Sequence, residues 1–151
     1  MNLGAFLSIH LFSNFAGSDN FYDWGGVAKH SPLAGVLTTI FFFSLAGIPP
    51  LGGWFAKFVV FRSLLSTGEI IGISLAIIGA INAVIALVYY ARISKVIWMD
   101  ELKNPEQEKT FEFQNPLKVV GAFTVLITFI AGVFPGIFSY LGDVSSIFFG
   151  N

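Results

Sequence analysis

Cysteine is absent from the sequence, and charged residues are scarce. Without cysteine, these 151 residues offer no disulfide, no thiol nucleophile and no thiolate ligand for an iron–sulfur cluster. The two histidines, His10 and His30, are too far apart in the sequence to suggest a paired metal motif, so we predict no metal site. The net charge of −1 provides no basic surface, and we expect no nucleic-acid partner.

Hydrophobic side chains dominate what is present. They make up 55% of the chain, whereas charged residues make up 11%, compared with about 25% in soluble domains. The mean hydropathy is +0.78, and 18 residues are phenylalanine. This composition is typical of a chain embedded in a lipid bilayer.

Polar residues divide the sequence into apolar segments, and we predict an all-α, polytopic transmembrane helical bundle with one discontinuous helix. The predicted parts are a partial helix over 3–16, a polar connector over 17–31, a broken helix over 32–65, a helix over 70–91, a polar loop over 92–118, a helix over 119–134 and a short amphipathic tail over 137–151. The first segment has about 14 residues, and a span needs roughly 20, so we expect it to be part of a longer helix.

The second apolar segment is interrupted near its middle. As one straight helix, residues 32–65 would be roughly 50 Å long, far more than a hydrocarbon core of about 30 Å. The interrupting residues are Gly47, Pro49, Pro50, Gly52 and Gly53. Hydrocarbon cannot satisfy the backbone groups freed at such a break, so it is expected where protein or a water-filled cavity surrounds it. A simple packing kink is the alternative.

Lys57 follows this break, and an ionisable residue inside a membrane usually marks an ion path. Lys57 lies 12 residues before Glu69, and Asn82 lies 13 after it. If both arms are helical, each side chain is roughly 18 Å below the surface. We therefore predict Lys57 as a proton acceptor and donor, with Asn82 as a possible lining residue of the proton path. The alternatives are a lysine that reaches back to the surface and an asparagine that hydrogen-bonds between helices.

The distribution of lysine and arginine predicts the orientation. If the broken helix crosses once, one side of the membrane holds only Arg62. The other side holds Lys29, Arg92, Lys95, Lys103, Lys109 and Lys118. By the positive-inside rule, the loop over 92–118 is then cytoplasmic, or on the matrix or stromal side in an organelle. We expect the chain in a bacterial plasma membrane or an organelle inner membrane.

Residues 44–58, SLAGIPPLGGWFAKF, resemble the signature of the antiporter-like proton-pumping subunits of respiratory complex I (NADH:quinone oxidoreductase). Within these, the resemblance is to the subunit N family, the bacterial counterpart of mitochondrial NADH dehydrogenase subunit 2. The segments NLGAF at 2–6, SPL at 31–33 and YYAR at 89–92 agree. The resemblance covers nearly the whole chain but only about the carboxyl-terminal third of the family's subunit, so we expect a fragment. Trp54 and His10 depart from the pattern, which often has phenylalanine and an apolar residue there.

The resemblance implies a membrane subunit that contributes a proton half-channel and couples quinone reduction to proton translocation. Lys57 matches the family's mid-membrane lysine, which exchanges protons with the outer aqueous phase. It also implies a non-redox part of the enzyme, with no cofactor on this chain, since other subunits bind NADH, FMN, iron–sulfur clusters and quinone. The expected partners are the other membrane subunits of complex I. The rivals are a subunit of a multi-subunit Mrp-type cation/proton antiporter and a purely structural membrane subunit.

Overall fold

The computed structural model describes residues 1–101, 115–134, 136 and 140. Its helices are α1 (Asn2–Ala16), a 3-10 helix (Phe21–Trp24), α2 (Val27–His30), α3 (Pro32–Ala46), α4 (Gly52–Ser66), α5 (Ile70–Met99) and α6 (Asn115–Val133). The described residues include no strand, which confirms the predicted all-α class.

Helices α3 and α4 are the two halves of the broken helix. Each has 15 residues. At 1.5 Å per residue each is about 22 Å long, so neither half alone would cross a hydrocarbon core of about 30 Å. The two helices are separated by residues 47–51, and this confirms the predicted discontinuous helix.

Helix α5 runs antiparallel to both halves. It has 30 residues and is long and apolar enough to cross a membrane. Near its start, Gly72 packs against the Leu64 carbonyl near the end of α4. Near its end, Trp98 Nε1 donates a hydrogen bond of 2.9 Å to Thr39 Oγ1 on α3. Because one helix pairs with both halves in this way, α3 and α4 together run once from one end of the bundle to the other.

The packed core lies toward one end of the bundle, where α1, α2, α3 and α5 meet. Its largest fully buried apolar side chains are Phe12, Val27, Phe41, Phe42 and Ile97. The outer face of α5 is apolar and exposed, with Ile81 at 56%, Val84 at 61% and Val88 at 64%. Soluble proteins rarely expose an apolar surface of this extent, so this face suits lipid or a neighbouring helix.

The connector before α3 and the end of α5 lie at the same end of the bundle. Gly26 N donates to the Val96 carbonyl over 3.3 Å. The Arg92 guanidinium carbon lies 5.4 Å from the centroid of the Tyr22 ring. The Gly68 turn between α4 and α5 lies at the opposite end, since it joins the far ends of those helices. The broken helix thus joins the two ends of the bundle once, which is the arrangement that the charge argument assumes.

The predicted boundary between the helix over 70–91 and the loop over 92–118 was wrong. Helix α5 continues to Met99, because residues 92–99 form an amphipathic end rather than a loop. Ile93, Val96 and Ile97 are buried, whereas Arg92 and Lys95 are exposed on the other side. Charge in these two turns marks the outer face of a helix and does not end it.

The predicted bounds of the last helix, 119–134, also differ from the observed bounds. Helix α6 begins at Asn115 and ends at Val133. Pro116 lies in its first turn, where the missing N–H has no intrahelical partner to lose, so the Asn-Pro pair begins the helix instead of extending the loop. Residues 102–114 of the predicted loop lie outside the described residues. The predicted tail, 137–151, does too, apart from Tyr140.

Candidate functional site

Helix α3 ends in a compact glycine cap at the break. Gly47 has φ +91°, a left-handed conformation that glycine adopts without steric cost. Its N–H donates to the Ser44 carbonyl over 3.1 Å, and Ile48 N donates to the Phe43 carbonyl over 3.0 Å. These bonds satisfy two of the four terminal carbonyl groups that every helix leaves without an intrahelical partner. The last two carbonyl groups of α3 remain.

Lys57, on α4, binds these two carbonyl groups. Its Nζ donates to the Leu45 carbonyl over 3.0 Å and to the Ala46 carbonyl over 2.6 Å. The carboxyl end of a helix carries a partial negative charge, which stabilises a cation there. The side chain is partly buried and turns toward the break, so the alternative of a lysine that reaches the surface does not describe this structure.

Glycine residues bring the two half-helices close enough for this contact. Gly53 and Lys57 are four residues apart and therefore share a face of α4. Gly53 is buried, its N–H donates to Ser44 Oγ over 3.3 Å, and a Cβ at Gly53 would overlap the Ser44 carbonyl oxygen. A Cβ at Gly47 would lie 2.8 Å from Lys57 Cδ. The lysine stem thus packs directly on the glycine cap of α3.

The predicted break residues fall in two places. Gly47, Pro49 and Pro50 lie between the helices, and both prolines are exposed. Gly52 and Gly53 are the first two residues of α4, where they allow close backbone contact with neighbouring helices.

Lys57 and Asn82 line one groove between α4 and α5. The groove has a volume of about 410 Å³ and is open on one side. Its other lining residues are small or apolar: Ala56, Val60, Phe61, Gly79, Ala83 and Ala86. At about 30 Å³ per water molecule, it has room for on the order of ten waters. The structure therefore brings the two predicted polar residues to a shared space.

Asn82 is exposed in this groove. Within the described part of the chain its side chain makes no hydrogen bond, and the alternative of an interhelical packing bond stays open. His10 is exposed on α1, and its Nε2 lies 3.0 Å from Asn14 Nδ2. No cluster of three or more metal-ligating side chains occurs among the described residues.

Sequence reasoning missed the acceptors of Lys57, because they are backbone carbonyl groups of Leu45 and Ala46. The only sequence signal for them is Gly47, which predicts a helix end at the residue before it.

The sequence of the chain matches a known protein family. A family model described as NADH:quinone oxidoreductase/Mrp antiporter, transmembrane, matches residues 1–86 and includes the whole break, Lys57 and Asn82. The chain belongs to this family. Its members lie in the membrane, in agreement with the exposed apolar face of α5.

Individual proteins that are similar to this chain have more specific names. The chain is 36% identical to NADH-quinone oxidoreductase subunit N of Moorella thermoacetica, over 89% of this chain and 27% of that protein. It is 34% identical to subunit N 2 of Chloroherpeton thalassium, over 96% of this chain and 28% of that protein. It is also 34% identical to the chloroplastic NAD(P)H-quinone oxidoreductase subunit 2 of Mesostigma viride, over 89% of this chain and 28% of that protein. The chain spans about a quarter of the length of these relatives.

Proposed function

We propose that the chain is part of a membrane subunit of NADH:quinone oxidoreductase, and that Lys57 accepts and donates a proton in a half-channel of that subunit. The observation that carries the proposal is the position of the Lys57 ammonium, held by the terminal carbonyl groups of α3 beside the groove that Asn82 also lines. The names of the relatives support the enzyme class. In this proposal other subunits bind NADH, flavin, iron–sulfur clusters and quinone.

The geometry around Lys57 suits both protonation states of the amine. An ammonium has three N–H donors, and the carbonyl groups of Leu45 and Ala46 take two of them. A neutral amine keeps two N–H donors and has a lone pair in place of the third. Loss of the third proton therefore leaves both carbonyl groups hydrogen-bonded, which avoids the cost of about 1–3 kcal/mol for a buried polar group without a partner.

The groove extends from Lys57 in both directions, since Ala83 and Ala86 continue it along α5 toward the Met99 end. In this proposal its other end, toward the Gly68 turn, is the exit. From Lys57 its lining continues along α4 through Val60 and Phe61, toward the end of the bundle that holds the Gly68 turn. The opposite end carries Lys29, Arg92, Lys95 and Lys118 among the described residues, so the positive-inside rule assigns it to the cytoplasmic, matrix or stromal side. We propose that water in the groove connects Lys57 with the outer aqueous phase.

The test is Lys57→Met in the full-length subunit, in membranes that contain the assembled enzyme. Methionine keeps a flexible stem of similar length and removes the titratable amine. We expect near-normal assembly and near-normal quinone reduction capacity after uncoupling, with fewer protons pumped per NADH oxidised. Lys29→Met is the matched control, because Lys29 is an exposed lysine outside the site. Unchanged pumping in Lys57→Met would refute the proposal and favour a structural subunit.

The family description also names Mrp antiporters, which keeps a cation/proton antiporter subunit as the second candidate. Neighbouring genes separate the two, because an oxidoreductase locus encodes hydrophilic iron–sulfur subunits. Cation-dependent proton exchange in vesicles without NADH, lost in Lys57→Met, would favour the antiporter.

A further inference from the structure

Helix α6 packs directly on the backbone of the break. Gly132 is buried, and a Cβ there would overlap the Pro50 carbonyl oxygen. Two residues after Pro50, a Cβ at Gly52 would lie 3.0 Å from Ala131 Cβ and 3.1 Å from the Thr128 carbonyl oxygen. Glycine on both sides thus allows the two backbones to touch.

A hydrogen bond joins α6 to the helix that carries Lys57. Trp54 Nε1 donates to the Gly132 carbonyl over 3.3 Å. Gly132 lies in the last turn of α6, where carbonyl groups have no intrahelical partner, so the indole satisfies a group that would otherwise need another donor. Trp54 is three residues before Lys57 on α4, and the bond therefore acts on the turn that begins the lysine's own helix.

The first turn of α4 is thereby held between two helices. On one side Gly53 rests on Ser44 of α3, and on the other side Gly52 and the preceding residues rest on α6. A shift of about 1 Å in that turn would carry the Lys57 amine away from carbonyl groups that it now contacts at 2.6 and 3.0 Å.

We infer that Gly132 is a positioning residue: by seating the first turn of α4, it holds the Lys57 amine on the carbonyl groups of α3. The effect on pumping rests on the proposed function, whereas the effect on the amine's position does not. Gly132 also lies outside residues 1–86, which the family model matches.

The experiment measures the position of the amine through its reactivity. Membranes with the full-length subunit are treated briefly with acetic anhydride over a range of pH. Mass spectrometry then gives the acetylation of Lys57 relative to Lys29, an exposed lysine of the same chain. In Gly132→Ala we expect this ratio to rise about tenfold, the change that corresponds to the loss of one hydrogen bond to a charged group.

Gly121→Ala is the matched control on the same helix. A Cβ at Gly121 would lie 2.9 Å from Leu37 Cδ1, a flexible side-chain atom that can move aside, and it meets no backbone of the break. We expect its ratio to equal that of the wild type. An equal ratio in Gly132→Ala and Gly121→Ala, whether raised or unchanged, would overturn the inference.

A second variant covers the case in which Gly132→Ala does not accumulate. Trp54→Phe keeps an aromatic ring at the contact and removes only the N–H donor, so a smaller rise in the same ratio is expected, and no rise would overturn the inference. A raised ratio in either variant, together with normal pumping in Lys57→Met, would support the positioning role while refuting the proposed function.

Discussion

Replacing Gly47 by alanine should displace the Lys57 amine from its two carbonyl partners. This effect is separate from the backbone strain that alanine has at a positive φ. Gly47 and Gly68 both have positive φ, +91° and +66°, so alanine at either position carries a backbone cost of roughly 1–2 kcal/mol. The surroundings of the two residues differ. A Cβ at Gly47 would lie 2.8 Å from Lys57 Cδ, whereas a Cβ at Gly68 would have none of the described residues within 4 Å. Gly68→Ala is therefore a matched control.

The size of the effect follows from the two hydrogen bonds of Lys57. Relief of the contact with the new methyl group requires the lysine stem to move by a few tenths of an ångström or more, at the expense of the bonds at 2.6 and 3.0 Å. Losing one hydrogen bond to a charged group costs about 1.5–3 kcal/mol. The equilibrium ratio of molecules with the amine in place to molecules with the amine displaced should then fall at least roughly tenfold.

The assay compares both variants in membranes, with the amount of assembled enzyme and the protons pumped per NADH as separate readouts. We expect similar, modest losses of assembled enzyme in both. Only Gly47→Ala should lower the pumping ratio. If Gly68→Ala lowered the ratio as much as Gly47→Ala, the contact between Gly47 and Lys57 would not matter and the reasoning would be refuted.

Two further predictions concern the groove and the contact between the half-helices. Asn82→Cys should react with a charged, water-soluble thiol reagent in intact vesicles, while Val84→Cys, on the apolar face of α5, should not; equally slow reaction at both would show that the groove is dry. Gly53→Ala should sharply reduce the amount of subunit in the membrane, measured by immunoblotting, because its Cβ would overlap the Ser44 carbonyl oxygen. Gly136→Ala, whose added methyl would meet nothing within 4 Å among the residues that the structure describes, should leave the amount unchanged, and equal amounts of the two variants would contradict the close packing of α3 on α4.

The break and its lysine could be predicted from the sequence because both depend on residue type. Two adjacent prolines and a pair of glycines interrupt a helix wherever they occur, and a charged side chain inside an apolar segment requires a partner. The shared depth of Lys57 and Asn82 could also be predicted, since it depends only on their distance from the Gly68 turn and on the helical rise. The structure confirms that α4 and α5 are helical over these residues.

The partners of Lys57 could not be predicted in the same way. Its acceptors are backbone carbonyl groups, which every residue possesses, so only the three-dimensional path of the chain selects Leu45 and Ala46. The contact of Gly132 with Pro50 joins residues more than 80 positions apart, and nothing in the sequence of α6 indicates which helix its glycine will face.

The end of α5 was missed for a different reason. Hydropathy falls at Arg92, and a prediction from hydropathy therefore ends the helix there. Helices end where a residue cannot continue them or where a cap stops them, and residues 92–99 contain neither proline nor glycine. Burial of Ile93 and Ile97 against the core keeps this segment helical.

The most direct test of the central claim is an experimental density map of the assembled enzyme in lipid, at a resolution that shows ordered water. We predict the Lys57 amine within hydrogen-bond distance of the Leu45 and Ala46 carbonyl oxygens, with a file of waters in the groove that passes Asn82. An amine directed to the acyl chains or the headgroups, or a groove filled by apolar side chains of a neighbouring helix, would contradict the account.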